Sequence, residues 1–212
     1  MSSTLPRSGS RPRPRYRRRL LYGVANQCQR ETESDVRRAC ISVVRFAHHH
    51  GMGALAIALY ERNLGDPSED VRRDIAEGVA CQPASTLQQV WALVGRLLQD
   101  PSEEVRSTMA FQLCNMREMP QLLTIAQQVA DTDPSPKVRK DALGSVGSLG
   151  QAPHVVAYYR HTLSQDTSEP TMKAVIWGLR DHNKSSEAQR LLSKLGQHQS
   201  PEIADAARNA LS

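Results

Sequence analysis

Apolar and polar positions in this chain recur as a block. The segments ESDVRRACISVV, DPSEDVRRDIAEGV, DPSEEVRSTMAFQL and DPSPKVRKDALGSV follow one template, with Val-Arg pairs at 36–37, 71–72, 105–106 and 138–139, spaced by 35, 34 and 33 residues. From each Val, apolar residues fall at +4, +5 and +8: Ile75, Ala76 and Val79; Met109, Ala110 and Leu113; Ala142, Leu143 and Val146. That spacing puts one apolar stripe on a helix. Two degraded copies follow, SEPTMKAVIWGL and SPEIADAARNAL. Anchoring the first at Thr171 rather than Met172 places Val175, Ile176 and Leu179 on the stripe; the second is anchored at Ile203.

A second amphipathic segment lies between copies, at 53–64, 87–100, 120–131, 153–165 and 186–197. Pro120 and Pro153 stand where a helix starts, and Gly65, Gly150 and Gly196 where one ends. Residues 16–29 would supply the first helix of the first unit. Each unit is thus predicted to be two antiparallel helices. A lone pair cannot bury its apolar stripe, whereas stacked pairs share one core. In DPSE, Asp66 and Asp100 are expected as N-caps, Pro67 and Pro101 at the first helical position, and Glu69 and Glu103 at N3.

The D-P-S-x-x-V-R-x-x-[AI] unit resembles the HEAT repeat, especially the short bacterial-type repeats also found in phycobilin lyases. The resemblance covers about residues 16–212, with four close copies and two that lack the Val-Arg pair. It implies an all-α fold, an α-solenoid of about six antiparallel helix pairs forming a superhelix. It also implies a polar ladder in which Asp66, Asp100 and Asp133 neighbour Arg37, Arg72, Arg106 and Arg139. On that reading the arginine row is structural and not a basic binding stripe.

In such arrays the second helix of each pair lines the concave side. At 100° per residue, positions +2, +6 and +9 from each anchor point away from the apolar stripe. They carry Arg38, Ser42 and Arg45; Arg73, Glu77 and Ala80; Ser107, Phe111 and Cys114; Lys140, Gly144 and Gly147; Lys173, Trp177 and Arg180. Exposed aromatics beside cations suit a binding groove, because they supply anchor area, stacking and charge. Arg38, Arg73, Phe111, Lys140, Lys173, Trp177 and Arg180 are therefore the candidate partner-binding residues, with Gly144 and Gly147 leaving a shallow dip. Packing of Phe111 and Trp177 against a neighbouring unit is the competing reading.

Composition changes the picture in one respect. The formal charge of +5 conceals eight Arg and no acid in residues 1–30; the remainder has 19 basic and 22 acidic groups, a net of −3. Residues 1–15, rich in Arg, Pro and Ser, are expected to be a disordered tail. It could serve as a solubilising extension, a phosphate-binding arm or an organellar or nuclear targeting signal. Nucleic-acid binding would rest on that tail, since the body does not support it. Only nine residues are aromatic, which argues against a sandwich or barrel. No apolar run approaches the roughly 20 residues of a membrane span, so a soluble, cytoplasmic protein with no membrane partner is expected.

Candidate chemistry is sparse. Cys28, Cys40, Cys81 and Cys114 have no C-x-x-C spacing and read as buried thiols. His48, His49 and His50 before Gly51 read as a helix end, and His154, His161, His182 and His198 have no ligand spacing. No G-x-S-x-G, Walker loop or G-x-G-x-x-G occurs, and no metal or cofactor is expected. The segment KAVIWGLRDHNKS (173–185) is similar to one near the C-terminal end of HEAT-like alkylpurine DNA glycosylases, which would turn Trp177 and Arg180 toward DNA. That family's Trp-rich catalytic segment is not matched, since Trp91 is followed by Gly95 where an acid is wanted. The function expected is a non-enzymatic scaffold or adaptor for a protein partner. The alternatives are a nucleic-acid-binding array or a factor that loads a cofactor onto another protein.

Overall fold

The computed structural model describes residues 19, 22–24, 26–27, 30–45, 52–82, 87–119 and 121–212. The expectations for the 1–15 tail, Cys28, the His48–His50 run and Pro120 lie outside the described residues. Everything described is helix, turn or irregular, with no strand among the described residues. The helices are α1 (Ser34–Arg45), α2 (Gly53–Asn63), α3 (Glu69–Ala80), α4 (Leu87–Leu97), α5 (Glu103–Gln112), α6 (Leu122–Thr132), α7 (Pro136–Leu149), α8 (Ala152–Gln165), α9 (Glu169–Leu179), α10 (Ser186–Leu195) and α11 (Pro201–Leu211). Helical turns are also described at 22–24 and 26–27, within the segment expected to precede α1.

The helices pack by alternation. Each odd-numbered helix touches the next odd one, from α1 through α3, α5, α7 and α9 to α11. Each even-numbered helix packs on the odd helix that follows it, and α2 also meets α4, as α8 meets α10. The anchors explain why. Val71, Val105, Val138 and Ile203 are fully buried, as are the stripe residues Ile75, Val79, Met109, Leu113, Ala142, Val146, Val175 and Leu179. One continuous apolar core runs from Cys40 to Ala210. Val36, 41% exposed, is the exception among the Val anchors. Thr171 stands at the third helical position, the same place as Val71, Val105 and Val138, which confirms the phase of the degraded copy.

The capping expectation needs correction. Ser68, Ser102, Ser135, Ser168 and Ser200 occupy the N-cap position, two residues after the Asp in the first four of these loops. The Ser102 and Ser135 hydroxyls accept from the Val105 and Val138 N–H groups at 3.5 and 3.4 Å. Pro67 and Pro101 therefore precede the cap, and Glu69 and Glu103 open the helix. The Asp serves the loop instead. The Asp66, Asp100, Asp133 and Asp166 carboxylates accept the N–H of the serine two residues on at 2.8–2.9 Å. That local Asx turn sets the chain direction into each helix and leaves the second carboxylate oxygen for another partner.

Helices α7 and α9 approach most closely where side chains vanish. A Cβ on Gly147 would collide with the Gly178 carbonyl, and one on Gly178 with the Tyr159 hydroxyl. Tyr159 is fully buried there and donates to the Leu143 carbonyl at 2.9 Å. His182 Nε2 lies 2.7 Å from the Gly147 carbonyl oxygen and so carries the ring proton. The dip expected at Gly147 is thus filled by the backbone of α9.

Candidate binding face

The +1 arginines are held in place by both neighbours. Arg37, Arg72 and Arg106 each direct Nε and Nη2 to the two oxygens of Asp66, Asp100 and Asp133, at 2.7 and 2.8 Å, 2.7 and 3.0 Å, and 2.9 and 3.2 Å. Their Nη1 groups turn back to loop carbonyls: Thr32 at 2.7 Å, Asp66 at 2.5 Å and Asp100 at 2.9 Å. The side chains are 11–13% exposed on the Arg side and 4–6% on the Asp side. Burial alone would raise the Asp66 carboxyl; the Arg37 guanidinium and the Ser68 N–H outweigh it and hold the group below its ordinary value. The bonds to Asp100 and Asp133 push Arg72 and Arg106 further up against burial. These arginines are committed to the fold.

The +2 cations divide into two groups. Arg38 reaches Asp74 at 3.0 Å and Arg73 reaches Asp70 at 2.7 Å, and the +9 residue Arg45 meets Glu77 at 2.5 Å. The Asp74 hydrogen bond pushes Arg38 up. Arg38 and Arg73 are half-buried in these pairs and lie away from the aromatics, so the expected seven-residue cluster is not formed as one site. Ser107 and Cys114 face helix flanks and are buried, with the Ser107 hydroxyl donating to Asp141 at 2.5 Å. The missed signal is a register between units: twice, position +2 of one unit bonds +3 of the next, in Arg38–Asp74 and Ser107–Asp141.

Phe111, Gly144 and Trp177 occupy the same +6 position in three successive units. Because Gly144 has no side chain, the rings two units apart meet across it, with centroids 6.0 Å apart and planes tilted by 37°. A Cβ on Gly144 would sit 3.2 Å from Trp177 Cε3. The two rings pack on each other and still leave Phe111 47% and Trp177 38% exposed. The Ser145 hydroxyl, buried beneath, donates to the Ala110 carbonyl at 2.7 Å and fixes α7 against the end of α5 that carries Phe111.

The pair walls a depression of about 360 Å³ completed by Lys140, Lys173, Pro170 and Ala174. Lys140 lies 3.6 Å from Asp141, and Lys173 lies 2.6 Å from Glu202, which raises the Lys173 ammonium. Trp177 also borders a cleft of about 480 Å³ on its other side, where Arg180 is exposed and Arg117 pairs with Asp181 at 2.9 Å. Of the candidate residues, the fold thus groups Phe111, Lys140, Lys173 and Trp177, with Arg180 adjoining.

Other chemistry is quiet. Cys40 and Cys114 are buried and Cys81 half-buried, all free thiols, and burial pushes Cys81 and Cys114 up, away from thiolate reactivity. Among the described residues no group of three or more His, Cys, Asp or Glu could hold a metal. No described helix is long and apolar enough to cross a membrane. Trp91, 38% exposed, sits on α4 with Gly95 one turn on, away from Trp177. No protein-family model matches the chain, and no curated protein matches it.

Proposed function

We propose that the chain is a HEAT-like α-solenoid acting as a non-enzymatic scaffold, with a protein partner seated on the concave face made by its second helices. The spacing of 33–35 residues, the odd-to-odd helix packing and the Arg–Asp rungs support the architecture. The partner surface rests on one observation, the exposed Phe111–Trp177 pair above a depression flanked by Lys140 and Lys173. Large rigid aromatics left in water beside cations are what partner hot spots are made of. The two lysines favour a partner segment that is apolar at its centre and acidic at its edges.

Affinity capture from the native cell extract tests this, with wild type compared to the Phe111→Ala, Lys140→Ala, Trp177→Ala triple variant. Proteins retained by wild type should be lost from the variant by roughly 30-fold or more, the effect of removing about 2 kcal/mol of anchor contact. Far-ultraviolet circular dichroism should be unchanged. Equal capture by the two forms overturns the reading. A parallel form lacking residues 1–19 should retain the partner; loss of bound nucleic acid alone, with steep salt dependence, would instead favour an Arg-tail function.

A further inference from the structure

We infer that the fourth rung of the arginine ladder is a carboxylate-binding site, left open because Thr171 captures the aspartate that would close it. In the three closed rungs, Oδ2 of the Asp takes the Arg Nε, and Oδ1 takes Nη2 together with a serine N–H. Arg139 keeps only half of this pattern. Its Nη1 donates to the Asp133 and Pro134 carbonyls at 2.8 and 3.2 Å, as its counterparts do. Asp166 stands where the next rung's carboxylate belongs and still accepts the Ser168 N–H at 2.8 Å. Its Oδ2, however, accepts the Thr171 hydroxyl at 2.5 Å. Units with Val71, Val105 or Val138 at that position have no hydroxyl to offer. The planar Nε–Nη2 edge of Arg139 therefore makes no hydrogen bond to a carboxylate among the described residues, although the Arg139 charge still helps to hold Asp166 below its ordinary value.

Arg139 lines a cleft of about 590 Å³, large enough for a small organic acid or one acidic side chain. The cleft wall also carries the cation Lys140 and the apolar Leu143, with His161 beside Gln165, whose side-chain amide nitrogen lies 3.1 Å from His161 Nε2. Asp131 and Asp166 also line the cleft; Asp131 accepts the Tyr158 hydroxyl at 2.7 Å and Asp166 is held as described, bonds that direct their lone pairs without cancelling their charge. A guanidinium fork fixed at its other end matches a carboxylate bidentately and needs little reordering to do so. Three copies of the same fork already hold carboxylates in this molecule. The ligand is a carboxylate, either of a free small acid or of a Glu or Asp side chain in a bound segment. Lys140 and Pro170 border both this cleft and the aromatic depression, so one segment can reach both.

The arginine Nε–H resonances of the full chain report the site directly during titration with sodium acetate at constant ionic strength, with chloride and inorganic phosphate as controls. The Arg139 signal should move saturably with acetate, by at least fivefold more than those of Arg72 and Arg106. Thr171→Val should release Asp166 to Arg139 and abolish the response while leaving the fold intact. Phe111→Ala with Trp177→Ala should leave the response unchanged, which separates this site from the partner reading. A short peptide carrying Glu beside Leu distinguishes the sources. Binding at least tenfold tighter than acetate, lost in the aromatic variant, points to a partner side chain, and equal binding points to a free acid. An Arg139 signal as inert as that of Arg72, an undiminished response in Thr171→Val, or a response to phosphate but not acetate would overturn the inference.

Discussion

Two rows of side chains run along the same helices and are put to opposite uses. The +1 row is Arg37, Arg72, Arg106 and Arg139, and the +6 row includes Phe111, Gly144 and Trp177. By residue type, arginines belong at the surface and aromatics in the core. Here the first three arginines are nearly buried and doubly bonded, while the two aromatics stand in water. Position within the unit decides. The +1 side chain falls between consecutive loops, where a carboxylate and several carbonyls converge. The +6 side chain emerges at the middle of a helix face that the neighbouring units cover only in part.

The largest expected effect comes from the contact that sets this face. Gly147→Val forces a side chain into the Gly178 backbone, which cannot yield as a flexible side chain would. Urea unfolding should show a loss of about 3 kcal/mol or more. The loss should fall on α7 and α9 first, with the Trp177 fluorescence transition preceding the far-ultraviolet one. A fully cooperative transition at the wild-type midpoint would mean that the two helices do not depend on this crossing.

A broken rung is comparable in size. Arg106→Met leaves the Asp133 carboxylate, 6% exposed, with no cation. Breaking one side of a buried pair costs about 3–5 kcal/mol, whereas replacing both partners by apolar groups can be close to neutral. Arg106→Met with Asp133→Leu should therefore recover part of the loss, limited by the Ser135 N–H that Asp133 also binds. Losses that simply add would show that Arg106 and Asp133 act separately.

The ladder was legible because it recurs. Asp two residues before each cap and Arg after each Val anchor appear at a fixed interval, and regular helices turn that interval into proximity. The stripe residues followed for the same reason, whereas the helix starts fell two residues later than the DPSE pattern suggested. What was not legible depended on the space between units. Arg38 and Arg73 look like available cations in sequence, but Asp74 and Asp70 neutralise them in the fold. Gly147 looks like a gap, yet α9 fills it. Thr171 looks like a decayed Val, and only the fold shows its hydroxyl donating to Asp166, the loop aspartate whose counterparts pair with arginines. Each miss turns on a contact between units, which a single unit's periodicity does not encode.

Gly144→Ala is the mildest of these changes and the one that isolates the exposed row. It lies one turn before Gly147 on α7, but its added Cβ would meet the rim of an indole at 3.2 Å rather than backbone. Trp177 is more than a third exposed and can tilt away by a few tenths of an ångström. Ala is favoured over Gly inside a helix by about 1 kcal/mol, which offsets the strain. Net stability should stay within roughly 1 kcal/mol of wild type. The indole cannot keep both its place and its distance from Phe111, so near-ultraviolet circular dichroism should change and partner capture should weaken. A stability loss matching that of Gly147→Val would show that the aromatic row carries the fold as the crossing does, and the contrast between the two rows would fail.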